Sequence, residues 1–471
     1  MIRYKLRMTG RQYAALSQHL LANDGCESVA LALCGVGERN ENGIIERVVM
    51  IREVIPVPID QCMVRTADCV KWSTEILNGL LSRIDKENAI LLKLHSHRSE
   101  TDAFSETDDI SDNELVDSVS GYLQRDFCCI SAIMTESRRI KARVLQVDGK
   151  AIPVESVLIV GDDIHFWLYQ DMNGNQGLGQ LSKRTTQTLG RHTTQILSRL
   201  RIGIVGTSGT GSPTVEMLNR LGVGYLVLVD GDIINHLNVG RIYNSTVWDA
   251  DEGRYKVHIL KQKMQQNGLP TIVEAFPKDL YHASVIRALA QCDIIFGCMD
   301  SVDGRHLLNR LCVYYSIPYF DIGIGLDADG QGGVELVSGT VHYIQADGSS
   351  LMSRGVYNPE MLLASITQRQ NPEFYEDQRQ RGYLRGSNED RPAVISVNTM
   401  MASIAVNDFL SRIHPIRYSD NKDVAQISLN WSGMYIQTFS ANDFSTDRLF
   451  FRDVGRGDVH PLLLEYNLEG D

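Results

Sequence analysis

No cysteine follows Cys312, and the nine in the chain (Cys26, Cys34, Cys62, Cys69, Cys128, Cys129, Cys292, Cys298 and Cys312) include no CxxC pair. An odd count without paired spacing argues against a disulfide scaffold and against a four-cysteine zinc site. Long apolar runs are also missing. No stretch is long enough to span a bilayer, and the N-terminus, MIRYKLRMTGRQY, lacks the apolar core of a signal peptide. A cytoplasmic protein without membrane contact is therefore expected. Positive charge is scarce: 46 Lys and Arg stand against 58 Asp and Glu, a net charge of -12. A protein that tracks nucleic-acid phosphates needs clustered cations, so no nucleic-acid partner is expected. There is no internal repeat and no low-complexity tract.

With 471 residues the chain is too long for one ordinary core, and two domains are expected. Charged residues at 22% and hydrophobic residues at 43% fit a globular protein with sizeable cores. The first block reads as mixed α and β: a helix over Arg11 to Leu21, strands over Ser28 to Cys34 and Ile44 to Val54, a helix over Ala67 to Leu81, and an apolar strand over Ala89 to Leu94. A helix from about Ser105 and strands over Phe127 to Met134, Ile140 to Leu145 and Val157 to Ile159 complete it. The segment DMNGNQGLGQ, Asp171 to Gln180, has the composition of a connector. The expected organisation is a domain over 1–165, a linker over 166–181 and a second domain over 182–471. From Arg201 the pattern becomes RIGIVG, TSGTGS, PTVEMLNRLG and YLVLVD, a strand, Gly-rich turn, helix and strand, which is a βαβ unit of a parallel sheet. The polar stretch Gln368 to Arg391 reads as a mobile loop, followed by an apolar-periodic helix over Ile395 to Leu410.

His95 and His97 stand two apart at the end of an apolar strand and so share one face of it. Two imidazoles can then share a metal. Seven residues separate His97 from Ser105, and Asp108 follows at Ser-x-x-Asp spacing, a third ligand if the intervening loop folds back. Two neutral imidazoles and a carboxylate leave the fourth position of a tetrahedral zinc to water, whose pKa then falls toward about 7. Glu27, just before the strand SVALALCG, is the candidate general base. Ser105 and Asp108 also make an acceptable helix capping box on their own.

This set resembles the JAMM (MPN+, JAB) metalloprotease family, whose pattern is an upstream Glu before a strand, His-x-His, a short gap and Ser-x-x-Asp. The resemblance covers roughly residues 1 to 165 and implies a mixed α/β, cytidine-deaminase-like fold. It implies zinc on His95, His97 and Asp108, Glu27 as acid/base, Ser105 steadying the water or oxyanion, and cleavage of isopeptide or peptide bonds at the C-termini of ubiquitin-like proteins. Arg98 stands where the family commonly has proline, which bears on the loop that receives the substrate tail.

In the second block, Gly206, Gly209 and Gly211 follow a buried strand and open a helix, where unpaired backbone N–H groups favour phosphate. Asp230, at the end of the next strand, is placed for ribose hydroxyls. Those two features alone suit a nicotinamide dehydrogenase. Lys256 and Asp300 point elsewhere, because nucleotidyl transfer needs cations against a triphosphate and a carboxylate for Mg²⁺.

The set resembles the ThiF/MoeB superfamily, which includes the adenylation domains of ubiquitin-activating enzymes. The resemblance runs from about Ser182 to Leu410 and includes RPAVISVNTMMASIAVNDFL. It implies a Rossmann-like fold that holds ATP with the Gly-rich turn and Asp230, contacts phosphates with Asn238, Arg241 and Lys256, and binds Mg²⁺ at Asp300. Arg184, six residues before Gly190, matches an arginine that these enzymes contribute from a partner subunit, so a homodimer is expected.

Relatives usually pass the activated carboxyl to a cysteine and many carry a CxxC pair in the later region. This chain has GSSLMSRG there, with Ser350 and Ser353 at that spacing. Three explanations stand open: the domain only adenylates and another protein captures the acyl group, a serine forms an oxyester, or serines have been substituted for cysteines. Cys298 and Cys312 read as core residues. Together the resemblances imply a bifunctional bacterial enzyme that matures or removes a ubiquitin-like modifier and activates its C-terminus, with a conjugating enzyme as a further partner and phage defence as the family setting. The alternative is sulfur-carrier activation through a thiocarboxylate, with JAMM processing.

Overall fold

Residues 1–169, 182–328, 331, 333–380 and 394–470 are described by the structure, a computed structural model. They fall into two compact units. Unit 1 comprises residues 1–174, 314–316 and 453–460; unit 2 comprises residues 175–313, 317–452 and 461–471.

Unit 1 begins with strand β1 (Ile2–Thr9) and helix α1 (Gly10–Leu20), where Thr9 caps the helix in a reciprocal box with Gln12. Strands β2 (Val29–Glu41) and β3 (Ile44–Pro56) form a long hairpin, and β4 (Cys62–Arg65) pairs with β5 (Val70–Trp72) in a small separate one. Helix α2 (Glu75–Lys86), strand β6 (Ile90–Ser96) and helix α3 (Glu106–Leu123) follow. The unit ends with β7 (Cys129–Met134), β8 (Ile140–Leu145), β9 (Ala151–Pro153), β10 (Ser156–Val160) and β11 (Ile164–Leu168). Nine strands make one mixed sheet in the order β11-β10-β1-β3-β2-β6-β7-β8-β9.

The period of two along β2 and β6 sorts the core into two layers. Ala30, Ala32, Ile90, Leu92 and Leu94 face Leu16 and Leu20 of α1. Val29, Leu31, Leu33 and Leu91 face Leu77 of α2 and Leu115, Val116 and Val119 of α3. Residues 453–460 return to this unit, where Asp458 N donates to Val36 O at 2.8 Å and Asp458 Oδ2 accepts from Glu38 N at 2.8 Å.

The expected helix over Ala67 to Leu81 is corrected: Val70–Trp72 is a strand and the helix starts at Glu75, because 66–72 doubles back to pair with β4. The expected linker start at 166 also moves, since β11 pairs with β10 through Leu168. Most of that linker, residues 170–181, lies outside the described residues.

Unit 2 opens with α4 (Lys183–Leu197), broken at Gly190, and then runs β12 (Arg201–Val205), α5 (Gly211–Arg220), β13 (Tyr225–Val229), and the short helices α6 (His236–Val239) and α7 (Val247–Asp251). Helix α8 (Lys256–Gln266), β14 (Ile272–Phe276), α9 (Ala283–Ala290), β15 (Ile294–Gly297), α10 (Val302–Tyr315), β16 (Tyr319–Ala328) and β17 (Val334–Ile344) continue it. Helices α11 (Pro359–Gln370), α12 (Pro372–Gln380) and α13 (Ile395–Ile413), strands β18 (Gln426–Asn430) and β19 (Tyr435–Phe439), and α14 (Arg448–Phe451) close it. The sheet order is β14-β13-β12-β15-β16-β17-β18-β19, parallel from β14 to β16 and antiparallel from there to β19. Strand order reverses beside β12, which leaves a crevice at the carboxyl ends of β12, β13 and β15. This is a Rossmann-like sheet.

The expected loop over Gln368 to Arg391 is helical as far as Gln380; residues 381–393 lie outside the described residues. Asn358 caps α11 with Pro359 in its first turn, and Asn371 accepts from Phe374 N at the start of α12, so local capping makes helices of a polar segment. No helix among the described residues is long and apolar enough to cross a membrane.

Two histidines of unit 2, His342 buried and His306 half-buried, are held neutral by their surroundings. Burial, with the Arg354 and Arg305 cations, pushes His342 from 6.5 down to about 3, and burial with Arg310 pushes His306 down to about 4. An unfolded histidine takes its proton near pH 6.5, and the folded ones refuse it until lower pH. Their stabilising effect is present in full above pH 6.5 and is lost as pH falls toward 3–4. Urea midpoints measured between pH 7.5 and 4.5 are expected to drop steeply in the wild type and less steeply in His342→Asn.

Candidate functional site

In unit 1, β6 lies between β2 and β7, and its odd-numbered side chains face α3. Lys93 and His95 therefore point toward that helix, with His97 next in the same series. The antiparallel pairing of Val29 with His95 continues to bring residue 27 opposite residue 97. Glu27 is fixed there through its backbone: its N–H donates to Thr66 O at 2.7 Å and its carbonyl accepts from Arg65 Nε at 2.9 Å.

Ser105 is the N-cap of α3. Its hydroxyl accepts from Asp108 N at 3.2 Å and donates to Asp108 Oδ2 at 2.8 Å, while Ser105 N donates to the same oxygen at 2.8 Å. The capping box and the meeting with the histidines occur together. Asp108 Oδ1 lies 2.9 Å from His95 Nε2, Asp108 Oδ2 lies 3.5 Å from His97 Nε2, and the two imidazole Nε2 atoms are 3.2 Å apart. One ligand atom from each of the three residues lies within 4.8 Å of the others. His97 Nδ1 is 3.1 Å from the Thr101 carbonyl, which assigns the proton to Nδ1 and turns the Nε2 lone pair inward. Two nitrogen donors and a carboxylate facing one point fit a zinc ion.

The electrostatics of the three groups differ: the hydrogen bond with Asp108 raises the His97 imidazole above its ordinary value. Burial holds the His95 imidazole below its ordinary range and so favours the neutral form. Burial works against ionisation of Asp108, but hydrogen bonds with His95 and His97 outweigh it and hold the carboxyl well below the usual range. Burial pushes Glu27 up to about 7; Asp108 and Asp68 add to the rise and His97 opposes it.

A second contact sets the register of helix on strand. Lys93, two residues before His95, donates to Asp112 Oδ1 at 2.7 Å, and Asp112 lies one turn after Asp108. Asp112 Oδ2 takes both Nε and NH2 of Arg143 on β8, at 3.1 and 2.7 Å. These residues are missing from the sequence reading, although their spacing of two on the strand and four on the helix puts them on the ligand-bearing faces. Arg98 reaches the Ala22 carbonyl and lies 3.6 Å from Glu136.

In unit 2, the Gly-rich turn follows β12 into α5 at the crevice. Gly206 has φ +86, and a Cβ there would lie 2.6 Å from the Cys298 carbonyl oxygen. The close approach draws the turn against the segment after β15, which leads to the exposed Asp300. Asp230 holds the turn from the other side: its Oδ2 accepts from Thr207 N at 2.7 Å and Thr207 Oγ1 at 3.1 Å, and its Oδ1 accepts from Asp232 N. Buried Lys256, at the start of α8, donates to Asp232 Oδ2 at 2.6 Å and lies 4.0 Å from Asp230. The Arg241 stem flanks Gly209, and its buried Nε has no hydrogen-bond partner.

Asn238 is engaged in the capping box of α6, accepting from Asn235 N. Arg184 is exposed on α4, and among the described residues no hydrogen bond or ion pair ties its side chain to this crevice. The turn, Asp230, Lys256, Arg241 and the Asp300 segment thus come together, and Arg184 stays apart. Backbone donors, an unpartnered guanidinium and an exposed carboxylate form a setting suited to a nucleotide phosphate with its magnesium.

Neither serine of the expected pair is a free nucleophile. Ser350 is buried and donates to Asp447 Oδ2 at 2.6 Å. Ser350 N donates to Ser353 Oγ and Ser353 N to Ser350 Oγ, both at 3.0 Å, closing the turn reciprocally. Burial also pushes the Cys298 thiol up to about 12 and raises that of Cys312.

A Gly-rich turn at the switch point of a Rossmann-like sheet, with acidic and basic groups around it, defines a nucleotide-binding α/β protein. The ThiF family model matches residues 182–439, more than half of the sequence, and the chain belongs to the ThiF family. It is 31% identical over 136 residues to the adenylyltransferase and sulfurtransferase UBA4 of Meyerozyma guilliermondii, covering 29% of this chain and 31% of that protein. It is 28% identical over 157 residues to ubiquitin-like modifier-activating enzyme 5 of Culex quinquefasciatus, covering 31% of this chain and 36% of that one. The chain thus spans about a third of the length of the curated relatives it matches. A crystal structure of E. coli MccB with MccA-N7isoASN aligns with TM-score 0.45 at 15% identity, covering 60% of this chain and 76% of that one.

The ion-pair clasp on α3 is testable by removing its carboxylate. Asp112→Ala leaves buried Lys93 without its counter-charge, while Arg143 keeps Asp109 at 2.6 Å, and is expected to cost about 3–5 kcal/mol of unfolding free energy in urea. Lys93→Met combined with Asp112→Leu is expected to recover much of that loss.

Proposed function

We propose that unit 2 adenylates the C-terminal carboxylate of a ubiquitin-like protein and that unit 1 is a zinc peptidase of the JAMM type acting on the same modifier. For unit 2 the supporting observation is the gathering of the Gly-rich turn, Asp230, Lys256, Arg241 and the Asp300 segment in a chain of the ThiF family. A substrate carboxylate oxygen attacks the α-phosphorus of ATP, the bond to the bridging oxygen breaks, and pyrophosphate leaves as the acyl-adenylate forms. Arg241 and Lys256 neutralise phosphate charge, Asp300 holds Mg²⁺, and positioning with charge neutralisation supplies the acceleration. Asn238 is assigned to the phosphate side through the family resemblance. Another protein, such as a conjugating enzyme, captures the acyl group, in keeping with the engaged serines and the suppressed thiols. Arg184, exposed on α4, serves the crevice of a second copy in a homodimer.

For unit 1 the supporting observation is the convergence of His95, His97 and Asp108. Zinc held by these three supplies Lewis-acid polarisation and acidifies water. Glu27 takes the proton from the attacking water and returns it to the leaving amine as the C–N bond breaks, a task suited to a carboxyl pushed up to about 7. Ser105 steadies Asp108 and stands at the edge of the site. The setting we assign is a bacterial modifier system of the antiphage kind. Sulfur-carrier activation is the second reading, favoured by the UBA4 relative's name as an adenylyltransferase and sulfurtransferase.

Metal analysis of purified wild-type protein is expected to give about one zinc per chain, lost in His95→Ala. Glu27→Gln is expected to keep the zinc while peptidase turnover on a modifier fusion falls about 10²–10⁴-fold. Metal-free wild-type protein with full peptidase activity would sink the assignment.

ATP–pyrophosphate exchange with a cognate modifier tests unit 2. Asp300→Ala and Arg241→Ala are expected to slow it by about 10²–10³-fold. Exchange equal to the wild type in both variants contradicts the proposal. Mass analysis of the modifier then separates the two readings: a lysine isopeptide on a target marks conjugation, and a thiocarboxylate marks sulfur transfer.

A further inference from the structure

Asn398, in the first turn of α13, has no role in the reading above, and it is the most unusual side chain near the Gly-rich turn. It is 4% exposed, yet among the described residues nothing hydrogen-bonds to its carboxamide; only its backbone N–H is engaged, with Val394 O. With no hydrogen bond from a described residue, the carboxamide is left to a partner from solution. The carboxamide is directed at the turn. A Cβ on Gly209 would lie 2.1 Å from Asn398 Nδ2 and 3.1 Å from its Cγ, with Arg241 Cδ at 3.8 Å. Gly209 has no positive φ to explain it; the missing side chain clears space for this amide.

The neighbours hold Asn398 in place and define what it can bind. Tyr243 OH lies 3.1 Å from Thr399 Oγ1, and Tyr243 N donates to Ser212 Oγ at 3.0 Å, so the start of α13 is tied to the start of α5. Arg241, two residues before Tyr243, brings a buried Nε that lacks a hydrogen-bond partner. Two unanswered donor groups, an amide and a guanidinium, thus flank one glycine of a phosphate-binding turn. Donors gathered without acceptors call for an acceptor-rich, anionic ligand.

We propose that Asn398 is a nucleotide-binding residue that donates from its carboxamide to a phosphate oxygen of bound ATP, beside Arg241. The inference rests on the ATP reading of unit 2. It assigns α13 a direct part in the site, and it makes Gly209 and Asn398 a matched pair in which the glycine admits the amide.

Calorimetric titration of the full chain with MgATP, without any modifier, tests it on wild type, Asn398→Asp and Asn398→Ala, with melting temperatures measured alongside. Asn398→Asp has the same shape but places a negative charge against the phosphates, so it is expected to weaken MgATP by about 10–100-fold. Asn398→Ala is expected to weaken it less than the aspartate does. A purely packing role predicts the reverse order, because alanine leaves a void and aspartate does not. MgATP affinity equal to wild type in Asn398→Asp, or alanine weaker than aspartate, overturns the role of Asn398 and leaves the ATP reading standing. If the aspartate variant does not fold, undiminished MgATP affinity in Asn398→Ala overturns the role in the same way. A folded wild-type chain that binds no MgATP overturns both.

Discussion

One buried carboxylate sets the geometry of unit 1. Asp112 answers Lys93 from the strand and Arg143 from a second strand, and in doing so fixes how far α3 slides along the sheet. Strand residues repeat on one face every two positions and helix residues every three to four, so fixing the 93–112 contact also fixes the neighbouring 95–108 contact. The capping box at Ser105 then sets where the helix begins and the direction from which Asp108 enters. The histidine and aspartate side chains meet because the scaffold beneath them leaves little freedom to do otherwise. Loss of the carboxylate at such a clasp is severe because the Lys93 ammonium stays buried.

Unit 2 reaches its geometry by a different route, through backbone proximity. The turn after β12 is pressed against the carbonyl of Cys298 at Gly206 and held by the Asp230 carboxylate at Thr207. Asp230 thereby organises the turn itself, in addition to the ribose contact that the family resemblance assigns to it. Lys256 reaches the same region through Asp232, a residue with no role in the motif as read from sequence. The two units thus contrast: side-chain charge positions the cluster in one, and close main-chain packing positions the cleft in the other.

Much of this was legible before the fold was known, for identifiable reasons. His-x-His on a strand and glycines between a strand and a helix are local patterns, and each constrains its own geometry. Lys93, Asp112 and Asn398 were not legible as site residues, because a lysine, an aspartate and an asparagine acquire meaning only when a distant element is laid beside them. The helix expected from Ala67 failed where a short hairpin competed for the same residues. The polar segment after Gln368 misled for another reason: its charge suggested a loop, whereas the Asn358-Pro359 and Asn371-Pro372 pairs were helix-start signals in plain view.

The Ser350–Ser353 turn has a consequence for how this chain meets its surroundings. Where a thiol pair would close such a turn by gripping an ion, hydroxyls close it here by holding each other's amides and the Asp447 carboxylate. A chelator has nothing to withdraw from that turn, and its closing bonds involve no thiol. Neither metal supply nor thiol oxidation therefore bears on how that turn is closed.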